Sequence, residues 1–376
     1  MSGQPAGKLS PLHERHVALG AKFGPFGGWS MPLEYAGAGV LAEHAAVRHA
    51  VGLFDVSHLG KVVVRGPGAA AYVNAVLTAD LDKITPGQAQ YTLLCTEQGG
   101  VVDDLIAYLH SPDEVFLIPN ALNAAAVQTV LAQGPPAGVE VADRHDDFAV
   151  LAIQGTEADE VLAAAGLPAG HAYMSFVAAE LAGAAVTVCR TGYTGERGYE
   201  LVVASDHAVP VWDAVVAAGE PYGLQPAGLG ARDTLRTEMG YPLHGADISP
   251  DISPVQARLS WAVGWKKADF RGAAALRAEK AAGPTRQLRG LRAVRRGIPR
   301  PGMSVIDPER DGAVVGHITS GTFSPTLKTG IALALVDVGP DGSYADDSVL
   351  AVDIRGRAEA FVVTKPPFVT PGVRQP

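Results

Sequence analysis

Along this chain the spacing of apolar positions switches repeatedly between about 3.6 and 2, so amphipathic helices alternate with half-buried strands. Ser10-Pro11 opens a short helix through His16 and Leu19. The glycine-aromatic segment Phe23–Tyr35 reads as loop, Gly39–His49 has helical spacing, and Val51–Val56 reads as a buried strand. From Lys61 the predicted order is strand Lys61–Arg65, helix Gly68–Val76, strands Gln90–Cys95, Val101–His110 and Glu114–Pro119, then helix Ala121–Leu131. A similar order recurs over 147–217: strand Phe148–Gln154, helix Glu157–Ala165, strands near Ala185–Arg190 and Tyr199–Val203, and helix His207–Ala218. Hairpin turns between the strands predict an α+β protein with antiparallel sheets in two related halves, not a doubly wound parallel sheet. After about Leu276 short strands follow one another, Gln287–Ala293, Met303–Ile306, Val314–Thr319, Thr329–Val336, Val349–Ile354 and Ala358–Thr364. Their close spacing predicts a small C-terminal β-barrel. Arg277–Pro284 reads as the linker to it.

Composition narrows the classes. At 376 residues the chain exceeds one ordinary core, so two or three domains are expected. With 47% hydrophobic and 18% charged residues it is globular in character, not disordered. A net charge of −9 argues against a general nucleic-acid binder, which needs a basic face for phosphates. Arg289, Arg292, Arg295, Arg296 and Arg300 do cluster, a pattern that reads as a solvated strand or loop face. The two cysteines, Cys95 and Cys189, form neither a disulfide framework nor a zinc spacing, and their apolar surroundings predict buried, inert thiols. No apolar run approaches the ~18–20 residues that span a bilayer. No secretory signal core is evident at the N-terminus either, so a soluble cytoplasmic enzyme without membrane contact is expected.

Several motifs carry little chemistry. Gly66-Pro67-Gly68 follows a strand and opens a helix like a dinucleotide fingerprint, but Pro67 removes a backbone N–H from the phosphate cradle. An ordinary helix-opening turn is expected there. His13 and His16 have no third ligand partner and read as surface residues near the terminus. His58, in Asp55-Val-Ser-His58, follows a buried strand and reads as a loop or core histidine. Ser320 lacks the flanking glycine of a nucleophile elbow, and there is no Walker loop.

Three segments carry more. Asp103-Asp104 lies in the apolar run Val101–Tyr108, where alternation turns one carboxylate inward and the other outward. An inward carboxylate needs hydrogen-bond donors or a cationic ligand, and the alternative is a pair of turn-capping aspartates. Arg190–Glu200, rich in Gly, Thr and Tyr, ends on Glu200, whose carboxylate can accept two parallel hydrogen bonds from an aminopyrimidine edge. A decorated hairpin loop is the other reading. Pro226–Glu238 is a glycine loop opening a helix that carries Arg232 in its first turn, where the helix dipole does not favour a cation. Its fork suits a carboxylate or a planar heterocycle, or an ion pair with Asp233 or Glu238.

Taken in order, Phe26-Gly-Gly-Trp-Ser-Met-Pro32, Val47–His58, Gly99–Tyr108, Gln154-Gly155, Arg190–Glu200, Gly228–Arg236, Ile318–Leu327 and Lys365-Pro-Pro-Phe368 resemble the aminomethyltransferase (T-protein) family of the glycine cleavage system. The resemblance covers nearly the whole chain. It implies a three-domain cloverleaf: a folate-binding region over 1–275, divided into 1–53 with 147–275 and 54–146, and a barrel over 285–376. It implies tetrahydrofolate as acceptor substrate, no metal, and a lipoylated carrier, the H-protein, as partner. By motif matching Asp104 is the catalytic aspartate, and Glu200, Arg232, Tyr91, Tyr108, Tyr193, Leu59 and Asn120 form the folate site. Leu59 stands where the family usually has methionine, and Met174 where some members have a pocket tyrosine. Relatives of the same fold demethylate sulfonium or aryl-ether substrates. A non-catalytic folate-binding scaffold family has a cysteine in the loop matching Arg190–Glu200, which this chain lacks.

Overall fold

The computed structural model describes residues 7–339, 342 and 344–373; the remaining positions, some within the expected bounds 1–53 and 285–376, lie outside the described residues. The alternating runs pair into two sheets. One has five strands in the order Gln88–Cys95, Val101–Ser111, Glu114–Ile118, Val62–Arg65, Glu140–Asp143, all antiparallel. The other has six: Phe176–Leu181, Ala184–Cys189, Gly198–Ala204, Phe148–Gln154, Val51–Asp55 and Leu224–Pro226, antiparallel except for the last pair. Strand parity decides which side chains meet. Ala149, Leu151 and Ile153 enter an outer core with Trp212 and Val161 from the covering helices, while Val150 and Ala152 face the other way. On the second sheet Leu105, Ala107 and Leu109 enter another outer core, while Tyr108 turns inward to meet Phe54, Phe116 and Val150. The result is helix, sheet, sheet, helix, with an apolar layer between the sheets.

A closed six-stranded barrel follows, in the order Arg286–Ala293, Thr329–Asp337, Ala313–Ser324, Ser304–Asp307, Val349–Asp353, Ala358–Thr364. Closure leaves no sheet edge, and the interior is filled by Leu291, Val305, Ile318 and Phe361 among others. Helix Leu229–Met239 lies between barrel and sheets with eight of its eleven residues buried. It begins at Gly228, where a Cβ would sit 2.3 Å from the Leu33 carbonyl oxygen. The Gly228 N–H donates to the Glu43 carboxylate at 2.9 Å, capping the helix from outside its own chain segment.

Four expectations need correction. Phe23–Tyr35 is no loop: Ala21–Phe26 and Trp29–Tyr35 are antiparallel strands joined past a register shift at Lys22/Phe23. Arg277–Pro284 is not irregular: helix Ala273–Ala282 runs through most of it, anchored just ahead of it by Ala273 and Leu276, buried beside Val101 and Ile252. Its stop at Gly283, with φ of 81°, is a helix C-terminus and not the start of a flexible segment. Arg289 is buried, whereas Arg292, Arg295, Arg296 and Arg300 are exposed as expected.

His16, finally, is not a surface residue but wholly buried. Its Nε2 lies 2.8 Å from Asp55 Oδ2 and its Nδ1 2.9 Å from the Tyr35 hydroxyl. Ser10 donates to the same Asp55 carboxylate, and the Ser57 N–H donates to Oδ1 at 2.8 Å. Burial alone would raise the Asp55 carboxyl, but His16 and the two serine donors outweigh it and bring it down to about 2. A carboxyl depressed in the folded state contributes stability above its unfolded value of ~3.9 and loses it as pH falls further. Wild type is therefore expected to lose stability between about pH 4 and pH 2, by a couple of kcal/mol from this group. Urea melts of wild type and Asp55→Asn across that range check it; equal slopes in the two proteins would contradict it.

Candidate active site

The same parity that builds the inner layer sets the site. Glu200 alternates with Tyr199 and Leu201, which point to the outer core, so it faces the other sheet. Asp104 shares the inward face of Val101–Ser111 with Ile106 and Tyr108. Between them lies a cavity of about 510 Å³, within the ~300–1,000 Å³ of small-ligand pockets. Its wall includes Asp104, Glu200, Arg232, Tyr91, Tyr108, Tyr193, Leu59 and Asn120, all eight residues singled out from sequence.

Asp104 and Asp103 take opposite faces: Asp103 is fully buried, and Asp104 is half-buried in the cavity wall. Tyr91 donates its hydroxyl to Asp104 Oδ2 at 3.0 Å, and the Asn120 amide donates to Oδ1 at 2.8 Å. Burial raises the Asp104 carboxyl, opposed by Tyr91, His244 and Asn120. No ion pair within 4 Å involves it among the described residues.

At the far end Glu200 accepts a hydrogen bond from the Thr191 hydroxyl at 2.5 Å, and Thr191 contacts the Tyr108 hydroxyl at 3.2 Å. The Arg232 guanidinium lies 4.7 Å from the Tyr193 ring centroid, a cation–π contact. Its Nη1 is buried with no hydrogen-bond partner, and burial lowers its proton affinity. An orphaned buried donor costs free energy unless a ligand meets it. The Arg232 ion pair with Asp233 or Glu238 considered from sequence does not form: Asp233 pairs with Arg236, and Glu238 with Arg48. Tyr193 stacks on Tyr241 at 5.6 Å and donates to the Pro242 carbonyl.

Sequence reasoning missed two parts of this wall, His58 and Trp261, and one support behind it, Asp247. His58 is buried, lines the cavity, and has an Nδ1 without a partner. Burial and the Arg232 charge hold its imidazole down to about 3, so it is neutral at physiological pH. Its position just after a buried strand was the available signal. Trp261 is 70% exposed at the cavity and stacks on Tyr91 at 5.2 Å, and nothing in its neighbours along the chain marks it. Asp247, wholly buried, accepts from Arg236 at 2.9 Å, Thr319 at 2.6 Å, Ser320 at 2.7 Å and the Leu243 N–H at 2.9 Å. It ties the cavity segment 241–246 to the barrel, and Ser320 is a strut there. Met174 and Tyr173 both line the cavity, Met174 with φ of 62°. The Gly66–Gly68 turn is an ordinary helix opening, with the Gly68 N–H given to Asp113. Cys95 and Cys189 are buried free thiols.

Fold and site together define an α+β enzyme with two facing sheets, a C-terminal barrel and a polar-ended cavity of small-molecule size. The model of the GCVT N-terminal domain matches residues 12–267, and that of the glycine cleavage T-protein C-terminal barrel domain matches 286–370. The chain is 62% identical over 367 residues to "Aminomethyltransferase" of Parafrankia sp. (strain EAN1pec), covering 98% of this chain and 99% of the relative. It is 57% identical over 369 residues to the protein of that name from Mycobacterium tuberculosis (strain ATCC 25618 / H37Rv), covering 98% and 99%. The crystal structure of glycine cleavage system aminomethyltransferase T from Bartonella henselae is similar at a TM-score of 0.89 and 36% identity, covering 97% of this chain and 98% of that one. The chain belongs to the aminomethyltransferase family of the glycine cleavage system, and is a transferase of that class.

Proposed function

We propose that this chain transfers the methylene of a lipoyl-bound aminomethyl group, carried by the H-protein, to tetrahydrofolate in the 510 Å³ cavity, with release of ammonia. The observation that carries the reading is Asp104, a carboxylate in the cavity wall held by two neutral donors and by no cation. Two bonds to the methylene carbon break, to the amine nitrogen and to the lipoyl sulfur, and two form, to folate N5 and N10. The protons of N5 and N10 leave with ammonia and with the thiol, so the carrier ends as dihydrolipoyl H-protein and no electrons change hands. Departure of ammonia places positive charge on the methylene, which Asp104 stabilises without accepting a proton. Tyr91 and Asn120 hold its two oxygens for that task.

At the other end Glu200 accepts from the amino-pyrimidinone edge of the pterin, and the unpaired Arg232 Nη1 donates to the adjacent ring oxygen. Tyr108 and Tyr193 wall the ring, with Leu59 giving the apolar contact of the usual methionine. The reading takes 1–53 with 147–275, 54–146 and 285–376 as the three domains of a cloverleaf, supported by the six-stranded sheet in the first, the five-stranded sheet in the second and the barrel in the third. Strand Val51–Asp55 crosses the 53/54 bound and belongs to the six-stranded sheet, which favours a boundary after Asp55. The protein acts in the cytoplasm beside its carrier, and no described helix is long and apolar enough to cross a membrane.

Calorimetric titration with tetrahydrofolate tests the pocket assignment. One site per chain is expected, and Glu200→Gln is expected to raise the folate KM about tenfold or more with kcat within about threefold. Wild-type affinity in Glu200→Gln would remove Glu200 from the folate site; no binding to wild type would sink the reading itself.

A further inference from the structure

Asp103 does not reach the cavity. Parity puts it on the face of Leu105 and Ala107, under the start of helix Ala124–Leu131. There three N–H groups converge on it. The Asn120 main-chain N–H donates to Oδ2 at 3.0 Å, and the side-chain amides of Asn120 and Asn123 donate to Oδ1 at 2.9 and 2.7 Å. No cation lies within ion-pair distance among the described residues. All three donors come from the segment between strand Glu114–Ile118 and that helix. Asn123 sits at the N-cap position, yet makes no side-chain cap bond and gives its amide to Asp103 instead.

The Asn120 amide does a second thing. The same Nδ2 lies 2.8 Å from Asp104 Oδ1 and 3.0 Å from the Asp104 carbonyl oxygen. One planar amide therefore reaches past the strand edge and holds both carboxyl groups. An amide nitrogen has two hydrogens, so its plane is fixed only when its acceptors are fixed. Asp103 supplies that anchor from below, and the donor left over pins Asp104 from above. An amide at position 103 would turn one acceptor oxygen into an N–H donor facing N–H donors, whichever way it were placed.

We infer that Asp103 is a positioning residue for aminomethyl transfer, acting through the shared Asn120 amide to hold the Asp104 carboxylate toward the cavity. This rests on the reading of Asp104 given above. The groups that face Asp104 are Tyr91 and His244, with Tyr193 and Asp103 farther in the same field, and only Asp103 shares a donor with it.

A double-mutant cycle tests the inference. Asp103→Asn is expected to lower kcat about tenfold or more, with the folate KM within about twofold. In the Asp104→Asn background the same change is expected to alter the residual kcat by less than about twofold, because its route runs through a group already removed. A structural role alone would lower kcat by the same factor in both backgrounds, and that result overturns the inference, as does an unchanged kcat in the single variant. Should Asp103→Asn fail to fold, Asn123→Ala, which removes one donor outside the cavity wall, runs the same cycle with the same criterion. A crystal structure of the variant gives a readout that needs no turnover: Asp104 is expected to leave Asn120. An Asp104 carboxylate unmoved, with both its Tyr91 and Asn120 bonds, contradicts the inference. Absence of turnover in wild type would instead strike the transfer reading, and the crystal structure would still decide the clamp.

Discussion

Asp104→Asn is expected to lower kcat for aminomethyl transfer by about two to three orders of magnitude while leaving folding intact. The side chain keeps its shape, and the asparagine oxygen can still accept from one of the two donors now on the carboxylate, Tyr91 or Asn120. On the proposed mechanism, what disappears is a negative charge beside the carbon that becomes positive as ammonia departs. In a site screened from water such a charge contributes several kcal/mol to the transition state and little to ground-state folate binding. The folded-state carboxyl is raised, chiefly by burial, so ionising it costs stability as pH rises above its unfolded value of ~3.9. The variant is therefore expected to melt at the wild-type temperature or slightly above it at neutral pH. Steady-state kinetics with thermal melts check both halves; a large loss of melting temperature would make Asp104 a structural residue instead.

Glu238→Ala has the largest expected effect on stability, about 3–5 kcal/mol. Glu238 is wholly buried at the junction of three parts of the molecule. Arg48 Nη2 donates to it at 2.8 Å from helix Gly39–His49, and His44 Nε2 of that helix lies 3.4 Å away. From the end of barrel strand Ala313–Ser324, the Ser324 hydroxyl, the Thr326 hydroxyl at 3.0 Å and the Thr326 N–H at 3.2 Å all donate to the same carboxylate. Burial would raise this carboxyl, but His44, Ser324 and Arg48 outweigh it and bring it down to about 2. Truncation leaves five donors around an empty space, while Arg48 keeps Glu196 and the Thr194 and Leu235 carbonyls. Urea unfolding at neutral pH measures the loss, and a change below about 1 kcal/mol would mean that the barrel is held to the sheets by other contacts.

Much of the fold was legible because its elements are locally consistent. Gly39–His49, Phe148–Gln154 and Ala358–Thr364 occupy the spans their periodicity predicts. The barrel strands were legible for the same reason, although Ala313–Ser324 runs well past its predicted end at Thr319. Where reading failed, local signals competed with tertiary pairing. Pro25 and Pro32 argue against strands, but Pro25 pairs opposite Ser30 and Pro32 opposite Phe23 in a narrow ribbon. Gly283-Pro284 spells a stop, and only the burial of Leu276 shows that a helix precedes it.

The site divides the same way. Asp104 stood out as a carboxylate in an apolar strand, but choosing it over Asp103 from sequence needed the family register. In the structure Asp104 lines the cavity and Asp103 does not, Asp103 sharing the parity of Ala107 and Leu109 in the outer core. His16, Asp247 and Trp261 owe their roles to partners 39, 72 and 170 residues distant, beyond any local pattern. Their importance is a property of the packed chain.

The measurement closest to the centre of this account is ammonia release by the purified wild-type protein, given H-protein carrying its aminomethyl load and tetrahydrofolate. One ammonia is expected per methylenetetrahydrofolate formed, with free dihydrolipoyl thiol appearing on the carrier in the same ratio. A folded protein that binds both substrates yet releases no ammonia above the rate without enzyme would contradict it.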